Sequence, residues 1–215
     1  MQTNTYQGLQ IINKTQSITS DELVVEAPLQ ININNESYTV VMRTPGNDQD
    51  LVLGLLYAED IYKNSLPIPF EIIEEKSKIP SIVNVTIAPN ILGKGYLNKR
   101  TLLSVSSCGI CGKQQLEDIK VSGDKIEQKI FFSSENLLKM FAPLQKKQET
   151  FKKTGGSHAA GIFNHQFKLL VSREDIGRHN AVDKCIGSLL KKQQLKSGMY
   201  LLVSGRVSYE IVSKA

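Results

Sequence analysis

The chain has 215 residues, 40% of them hydrophobic and 22% charged, which excludes a disordered chain, a collagen-like repeat and a disulfide-rich mini-protein. Its longest apolar run, residues 51–58, falls well short of the ~20 residues that a membrane-spanning helix needs, and the opening M-Q-T-N-T has neither the basic nor the apolar part of an export signal. A net charge of +5 modestly favours polyanionic partners such as phosphates, nucleotides or nucleic acid, a bulk nucleic-acid-binding role is not expected because many ordinary soluble enzymes carry a similar excess, and the expected location is the cytoplasm.

In chain order, the first predicted element is a β-hairpin over residues 29–42. Leu29, Ile31 and Ile33 alternate up to Asn34-Asn35, and Tyr38, Val40 and Met42 alternate beyond it. After Arg43-Thr44-Pro45-Gly46, Asn47 or Asp48 can cap a helix on which Leu51, Leu55, Ala58 and Tyr62 recur at helical spacing as far as Asn64. Strand-like runs follow at residues 70–73 and at Val83, Val85 and Ile87, and another over residues 102–105 leads into S-S-C-G-I-C-G at 106–112. Ser133 or Ser134 caps a helix bearing Leu137, Leu138, Phe141 and Leu144, and Lys146, Lys147, Lys152 and Lys153 precede a glycine-rich turn. Residues 162–163 and Phe167, Leu169 and Val171 predict a strand pair turning at Asn164-His165. The remainder reads as a βαβ unit. Its helix, residues 178–192, carries Ala181, Val182, Cys185, Ile186, Leu189 and Leu190 on one stripe, and residues 199–203 form a buried strand. Ser208 can cap a last helix. With no internal repeat, this pattern predicts a mixed α/β sheet flanked by helices, divided into a β-hairpin and helix region over 1–100 and an α/β domain over 101–215.

Three cysteines without an export signal argue against structural disulfides. Cys108 and Cys111 form a C-x-x-C between glycines and serines, with no acidic residue from 100 to 112. Backbone N–H groups of such a loop stabilise a thiolate and make it nucleophilic. Half a zinc site and an inert loop are the alternatives, but His158, His165 and His179 show no paired spacing that would complete a zinc shell. Cys185 belongs to a core stripe. Three loop clusters remain, Thr154-Gly155-Gly156-Ser157-His158, residues 172–180, and Ser204-Gly205-Arg206. The last two follow the carboxyl ends of predicted parallel strands, the edge where open α/β sheets bind ligands. Arginines there fork onto phosphate oxygens while glycines let the backbone approach, so the clusters read as an anion pocket. The plainer alternative is that Arg173, Glu174, Asp175 and Arg178 pair with one another around a tight turn. In the same plain sense, His179 bonds Asp183 across one helical turn and His165 is exposed.

The runs R-T-P-G-N-D (43–48), S-S-C-G-I-C-G (106–112), T-G-G-S-H-A-A (154–160), R-E-D-I-G-R-H-N-A-V-D-K (173–184) and S-G-R-V-S-Y-E (204–210) resemble, in order, the motifs of the formate dehydrogenase accessory sulfurtransferase family (FdhD/NarQ). The resemblance implies a cytidine-deaminase-like α/β fold without the deaminase zinc, and so no tightly bound zinc. It implies a persulfide carrier that takes sulfane sulfur from a cysteine desulfurase and passes it to the molybdenum bis-molybdopterin guanine dinucleotide cofactor of formate dehydrogenase. Cys108 matches the persulfide cysteine and Cys111 its assisting thiol. Thr154, Gly155, Gly156, His158, Arg173, Asp175, Gly177, Arg178, His179, Ser204, Gly205 and Arg206 are the expected cofactor-binding set. A non-catalytic chaperone that delivers the cofactor is the alternative function, and a homodimer is compatible with either. Family members continue beyond S-G-R-x-S, so the expectation is a chain incomplete at its C-terminus, less soluble and weaker in binding than an extended form.

Overall fold

The computed structural model describes residues 2–64, 66–97, 133–196 and 198–215. Three two-residue turns, Asn13-Lys14, Asn34-Asn35 and Ser77-Lys78, have positive φ at both positions, the backbone that turns one strand into its antiparallel neighbour without splaying them. They join β1 (Thr3–Ile12) to β2 (Thr15–Val24), β3 (Ala27–Ile33) to β4 (Glu36–Arg43), and β5 (Phe70–Lys76) to β6 (Ile79–Val85). The hairpin at Asn34-Asn35 is the predicted one. The β1–β2 ribbon is not foreseen by any pattern, because both of its faces are mostly exposed and no alternation marks a buried side.

The four-stranded sheet runs β4-β3-β6-β5, with β3 parallel to β6 and the other pairs antiparallel. Helix α1 (Asp48–Ala58) covers one face, packing Leu51, Val52, Leu55 and Leu56 on Leu29, Ile31, Val83 and Val85. It stops short of the expected Asn64. Asp60 adopts φ 58°, and Ile61 and Asp60 donate to the carbonyls of Leu56 and Tyr57, the hydrogen-bond pattern that closes a helix with a left-handed residue. Tyr62 is nonetheless buried, carried into the core by the turn.

Helices α2 (Ser134–Lys146) and α3 (Glu149–Thr154) follow, α2 capped by Ser133 as its sequence predicts. Next come β7 (His158–Phe163), β8 (Leu169–Asp175), α4 (Arg178–Lys191), β9 (Tyr200–Val203) and the short α5 (Tyr209–Lys214). Phe167 lies in the β7–β8 turn at φ 60° instead of in a strand. The predicted βαβ unit is split: the order is β8-β7-β9 and β7 runs antiparallel to both neighbours. Strands β8 and β9 therefore run in one direction with β7 between them. The consequence for function is that the end of β8, the start of β7 and the end of β9 share one sheet edge.

Helix α4 covers one face of this sheet through Ala181, Val182, Cys185, Ile186 and Leu189, while Met140 and Leu144 of α2 pack on the other. The polar side of α4 is buried too, because α1 lies against it. A Cβ on Gly54 would stand 1.9 Å from the Asp183 carbonyl oxygen, and one on Gly187 would stand 1.8 Å from that of Asp50. Only glycines permit this approach, so the two sheets share a double layer of helices between them. The residue 100–101 boundary, the strand expected at 102–105 and the C-x-x-C loop lie outside the described residues. Among the described residues no helix is long and apolar enough to cross a membrane.

Candidate functional site

The sheet edge is built in two levels. The lower one is a buried hub centred on Asp175, the last residue of β8. Its Oδ2 lies 2.7 Å from Lys184 Nζ and accepts from Thr44 N at 3.1 Å, and its Oδ1 accepts from Gly177 N at 2.8 Å and Asn180 Nδ2 at 2.9 Å. Lys184 also donates to the Thr44 carbonyl at 2.7 Å, Asn180 to that of Met42 at 2.8 Å, and Ile176 N to Thr44 Oγ1 at 3.0 Å. Arg43, itself buried, bonds Asp48 Oδ1 and the carbonyls of Ala27 and Pro80 at 2.8–2.9 Å. The R-T-P-G-N-D run and the D-I-G-R-H-N-A-V-D-K run are thus two halves of one junction between the sheets. Four donors saturate the Asp175 carboxylate, which positions the edge from beneath.

Arg173, expected with the ligand-binding arginines, points into the helical layer. Its Nη2 donates to Asp50 Oδ2 at 2.8 Å and Ser188 Oγ at 2.9 Å. Ser188 sits ten residues along α4 from Arg178, about 15 Å by helical rise. Asp50 also meets Lys191 Nζ at 2.6 Å. Glu174 points the other way and caps α3, accepting from Thr150 N and Phe151 N, with Ser157 Oγ on the same carboxylate, all at 2.8 Å. Arg173, Glu174 and Asp175 therefore do not pair with one another around a turn: each reaches a different distant element. The glycine-rich turn closes α3. Gly155 takes φ 64°, Gly156 N donates to Thr154 Oγ1 at 3.0 Å, and a Cβ on Gly156 would stand 2.9 Å from Val24 Cγ1.

The upper level is a cationic rim. Ser204 prolongs the ladder of β9, donating its N–H to the Ala159 carbonyl at 2.9 Å and accepting from Ala159 N at 2.8 Å through Oγ. That places Gly205 over the first residue of β7: a Cβ there would stand 3.1 Å from His158 Nδ1 and 3.3 Å from Arg178 Cβ. Burial holds the His158 imidazole below its ordinary pKa, and the positive charges of Arg178 and Arg206 push the same way against the weaker opposing pull of Asp175. The N-cap of α4 is Gly177, which has no side chain of its own to cap the helix. His179 in its first turn lies 3.1 Å by Nε2 from Ser208 Oγ and 3.5 Å by Nδ1 from Glu210 Oε2. Asp183, its expected partner, instead holds Lys214 at 2.8 Å. His165 is also engaged, its Nδ1 3.0 Å from the Gly198 carbonyl, and the Cys185 thiol bonds the Ala160 carbonyl at 3.3 Å, burial raising its pKa to about 12.

The fold thus gathers His158, Gly177, Arg178, His179, Ser204, Gly205 and Arg206 at one edge and draws Arg173 and Asp175 below it. Thr44, Lys184, Ser208 and Glu210 are neighbours of this edge that the sequence reading does not pick out as site residues, and Asn180, inside the 172–180 cluster, joins the hub instead of the rim. All five lie inside the quoted motifs, but their partners are remote in sequence or in another element. Among the described residues no group of histidine, cysteine, aspartate and glutamate side chains is arranged to hold a metal ion.

The model of the FdhD/NarQ family matches residues 24–215. The chain belongs to the FdhD/NarQ family. It is 40% identical over 196 residues to the sulfur carrier protein FdhD of Sulfolobus acidocaldarius, covering 91% of this chain and 73% of that one. It is 37% identical over 220 residues to the sulfur carrier protein FdhD of Mycobacterium tuberculosis, covering 95% and 78% respectively. The crystal structure of a candidate formate dehydrogenase accessory protein from Desulfotalea psychrophila has the same fold, with a TM-score of 0.70 at 20% identity over 100% of this chain and 79% of that one. The mixed α/β architecture of this FdhD/NarQ chain is therefore shared with a solved structure.

Proposed function

We propose that the chain is a cytoplasmic sulfur carrier in formate dehydrogenase maturation. The observation that carries this reading is the match to sulfur carrier proteins over nine-tenths of the chain, together with the C-G-I-C-G loop that supplies two thiols. Cys108 thiolate attacks the terminal sulfur of a cysteine desulfurase persulfide. The sulfur–sulfur bond of the donor breaks, the desulfurase cysteine leaves as thiolate, and Cys108 becomes the persulfide. Cys111 assists as a second thiol. The substrate that receives the sulfur is the molybdenum bis-molybdopterin guanine dinucleotide cofactor.

The rim supports this reading from the acceptor's side. A guanosine diphosphate group needs cations for its phosphates and backbone that can approach closely. Arg178 and Arg206 offer the cations, the start of α4 at Gly177 with the small Ser204 and Gly205 offers the backbone, and the neutral His158 ring can donate an N–H. Thr154, Gly155 and Gly156 hold the neighbouring wall, His179 fixes the S-G-R-V-S segment, and Arg173 and Asp175 position the rim without touching the ligand. One rim serves one dinucleotide in each copy, whether the protein works as a monomer or a homodimer.

Mass spectrometry after incubation with a cysteine desulfurase and cysteine tests the carrier role. One added sulfur, ~32 Da, is expected on the Cys108 peptide, kept in Cys185→Ser and lost in Cys108→Ala. Sulfur that persists in Cys108→Ala and disappears in Cys111→Ala would reverse the two thiols. Guanosine diphosphate binding with no sulfur uptake at either cysteine would leave a delivery chaperone instead, and stoichiometric zinc lost in either cysteine variant would make the loop a metal site.

A further inference from the structure

Three side chains beside the rim stand in an order that sulfur transfer does not require. Ser208 Oγ is 3.1 Å from His179 Nε2, and His179 Nδ1 is 3.5 Å from Glu210 Oε2. They come from two elements brought together by the fold, His179 from the first turn of α4, Ser208 from the N-cap of α5 and Glu210 from its first turn. Hydroxyl, imidazole and carboxylate in series is the arrangement of nucleophile, general base and orienting group.

The surroundings suit that order. Ser208 caps α5 by accepting from Ile211 N at 3.5 Å, which uses an oxygen lone pair and leaves the hydroxyl hydrogen to point at Nε2. Glu210 divides its oxygens, Oε1 lying 3.7 Å from Lys214 Nζ and Oε2 facing His179. Burial keeps the His179 imidazole below its ordinary pKa, Glu210 opposes this, and Arg178, Lys214 and His158 add to it, so the ring is neutral and able to take a proton near pH 7. Ser208 is half-buried between exposed Val207 and Tyr209, within reach of solvent. The Arg178 stem lies against the Gly205 backbone, and its positive charge is felt at His179.

We propose that Ser208, His179 and Glu210 form a hydrolytic site for small carboxylic esters, independent of the sulfur-carrying cysteines. The Ser208 oxygen bonds to the carbonyl carbon as its proton passes to His179 Nε2. The ester carbon–oxygen bond breaks and the leaving alkoxide takes that proton. Water then repeats the attack on the acyl-serine, giving its proton to Nε2, and Ser208 is restored as the carboxylic acid departs. Glu210 is a positioning residue that holds the ring with Nδ1 protonated.

The test is labelling of the full chain with an alkyl fluorophosphonate, in which the serine oxygen displaces fluoride from phosphorus, followed by peptide mass spectrometry and turnover of p-nitrophenyl acetate. Label is expected on Ser208 and unaffected by Ser213→Ala or Cys108→Ala. Ser208→Asn keeps a capping side chain, so its melting temperature stays while label vanishes, as does turnover once the cysteine thiols are blocked by alkylation. His179→Gln slows both by about 10²-fold. Glu210→Gln moves the lower limb of the rate–pH profile to lower pH, because removing that negative charge depresses the imidazole further, a shift that loss of a structural contact alone does not produce. A folded protein that takes no label, label on another residue, or an unchanged rate in His179→Gln overturns the proposal.

Discussion

The hub around Asp175 and the rim above it are built from the same short stretches of sequence, yet they use charge in opposite ways. In the hub, Asp175, Lys184 and Arg43 are fully buried and every charge is met by an opposite charge or a backbone dipole. On the rim, the His158 imidazole is depressed first by burial and then by the neighbouring positive charges of Arg178 and Arg206. Buried charges that are saturated hold geometry, whereas arginines gathered at an edge raise the positive potential there.

The comparison breaks hardest at its base. Lys184→Met leaves the Asp175 carboxylate buried without its cation and is expected to cost about 3–5 kcal/mol, lowering the melting temperature on the order of 10 °C in a thermal scan. Arg173→Ala, which strips Asp50 of one partner and leaves it Lys191, should cost about 1–3 kcal/mol with guanosine diphosphate affinity unchanged in calorimetric titration. Loss of nucleotide binding there at unaltered stability would place Arg173 on the rim after all. Arg206→Ala should behave inversely: stability within ~0.5 kcal/mol of the parent, guanosine diphosphate affinity lower by about tenfold, and a weaker dependence of binding on salt.

The smallest effect is a pH dependence. His158 and His179 have folded pKa values below the 6.5 of free imidazole, so the unfolded chain takes up protons first as pH falls. Their stabilising contribution is complete above pH 6.5 and is lost progressively as the pH drops through the folded values. His158→Gln should flatten this part of a melting temperature against pH curve. An unchanged slope would show that His158 is as solvated in the fold as out of it.

Legibility from sequence followed the range of the interaction. The β3–β4 hairpin and the apolar stripe of α4 were readable because turn chemistry and helical period are local. That the clusters share an edge was readable from their places after strands, although β7 between β8 and β9 was not. Arg173, Glu174 and Asp175 are neighbours in sequence, but their partners, Asp50, the start of α3 and Lys184 with Thr44, lie on different elements. Alternation along a strand sends adjacent side chains to opposite faces, and no local pattern tells which face holds a buried carboxylate. The β1–β2 ribbon was silent for the converse reason, since a ribbon exposed on both faces has no burial to imprint on its sequence.

The four residues of β9 carry a consequence for motion. The strand is short and is paired with β7, and so short a ladder opens at lower cost than the buried hub. In amide hydrogen exchange, Leu202 and Ser204, whose N–H groups face β7, should therefore lose protection by a local opening of lower free energy than the one that exposes Ala181 and Cys185 in α4. Each such opening would carry Ser204, Gly205 and Arg206 away from His158 and return them, which would give the edge a way to admit and release something as large as a dinucleotide without unfolding the protein.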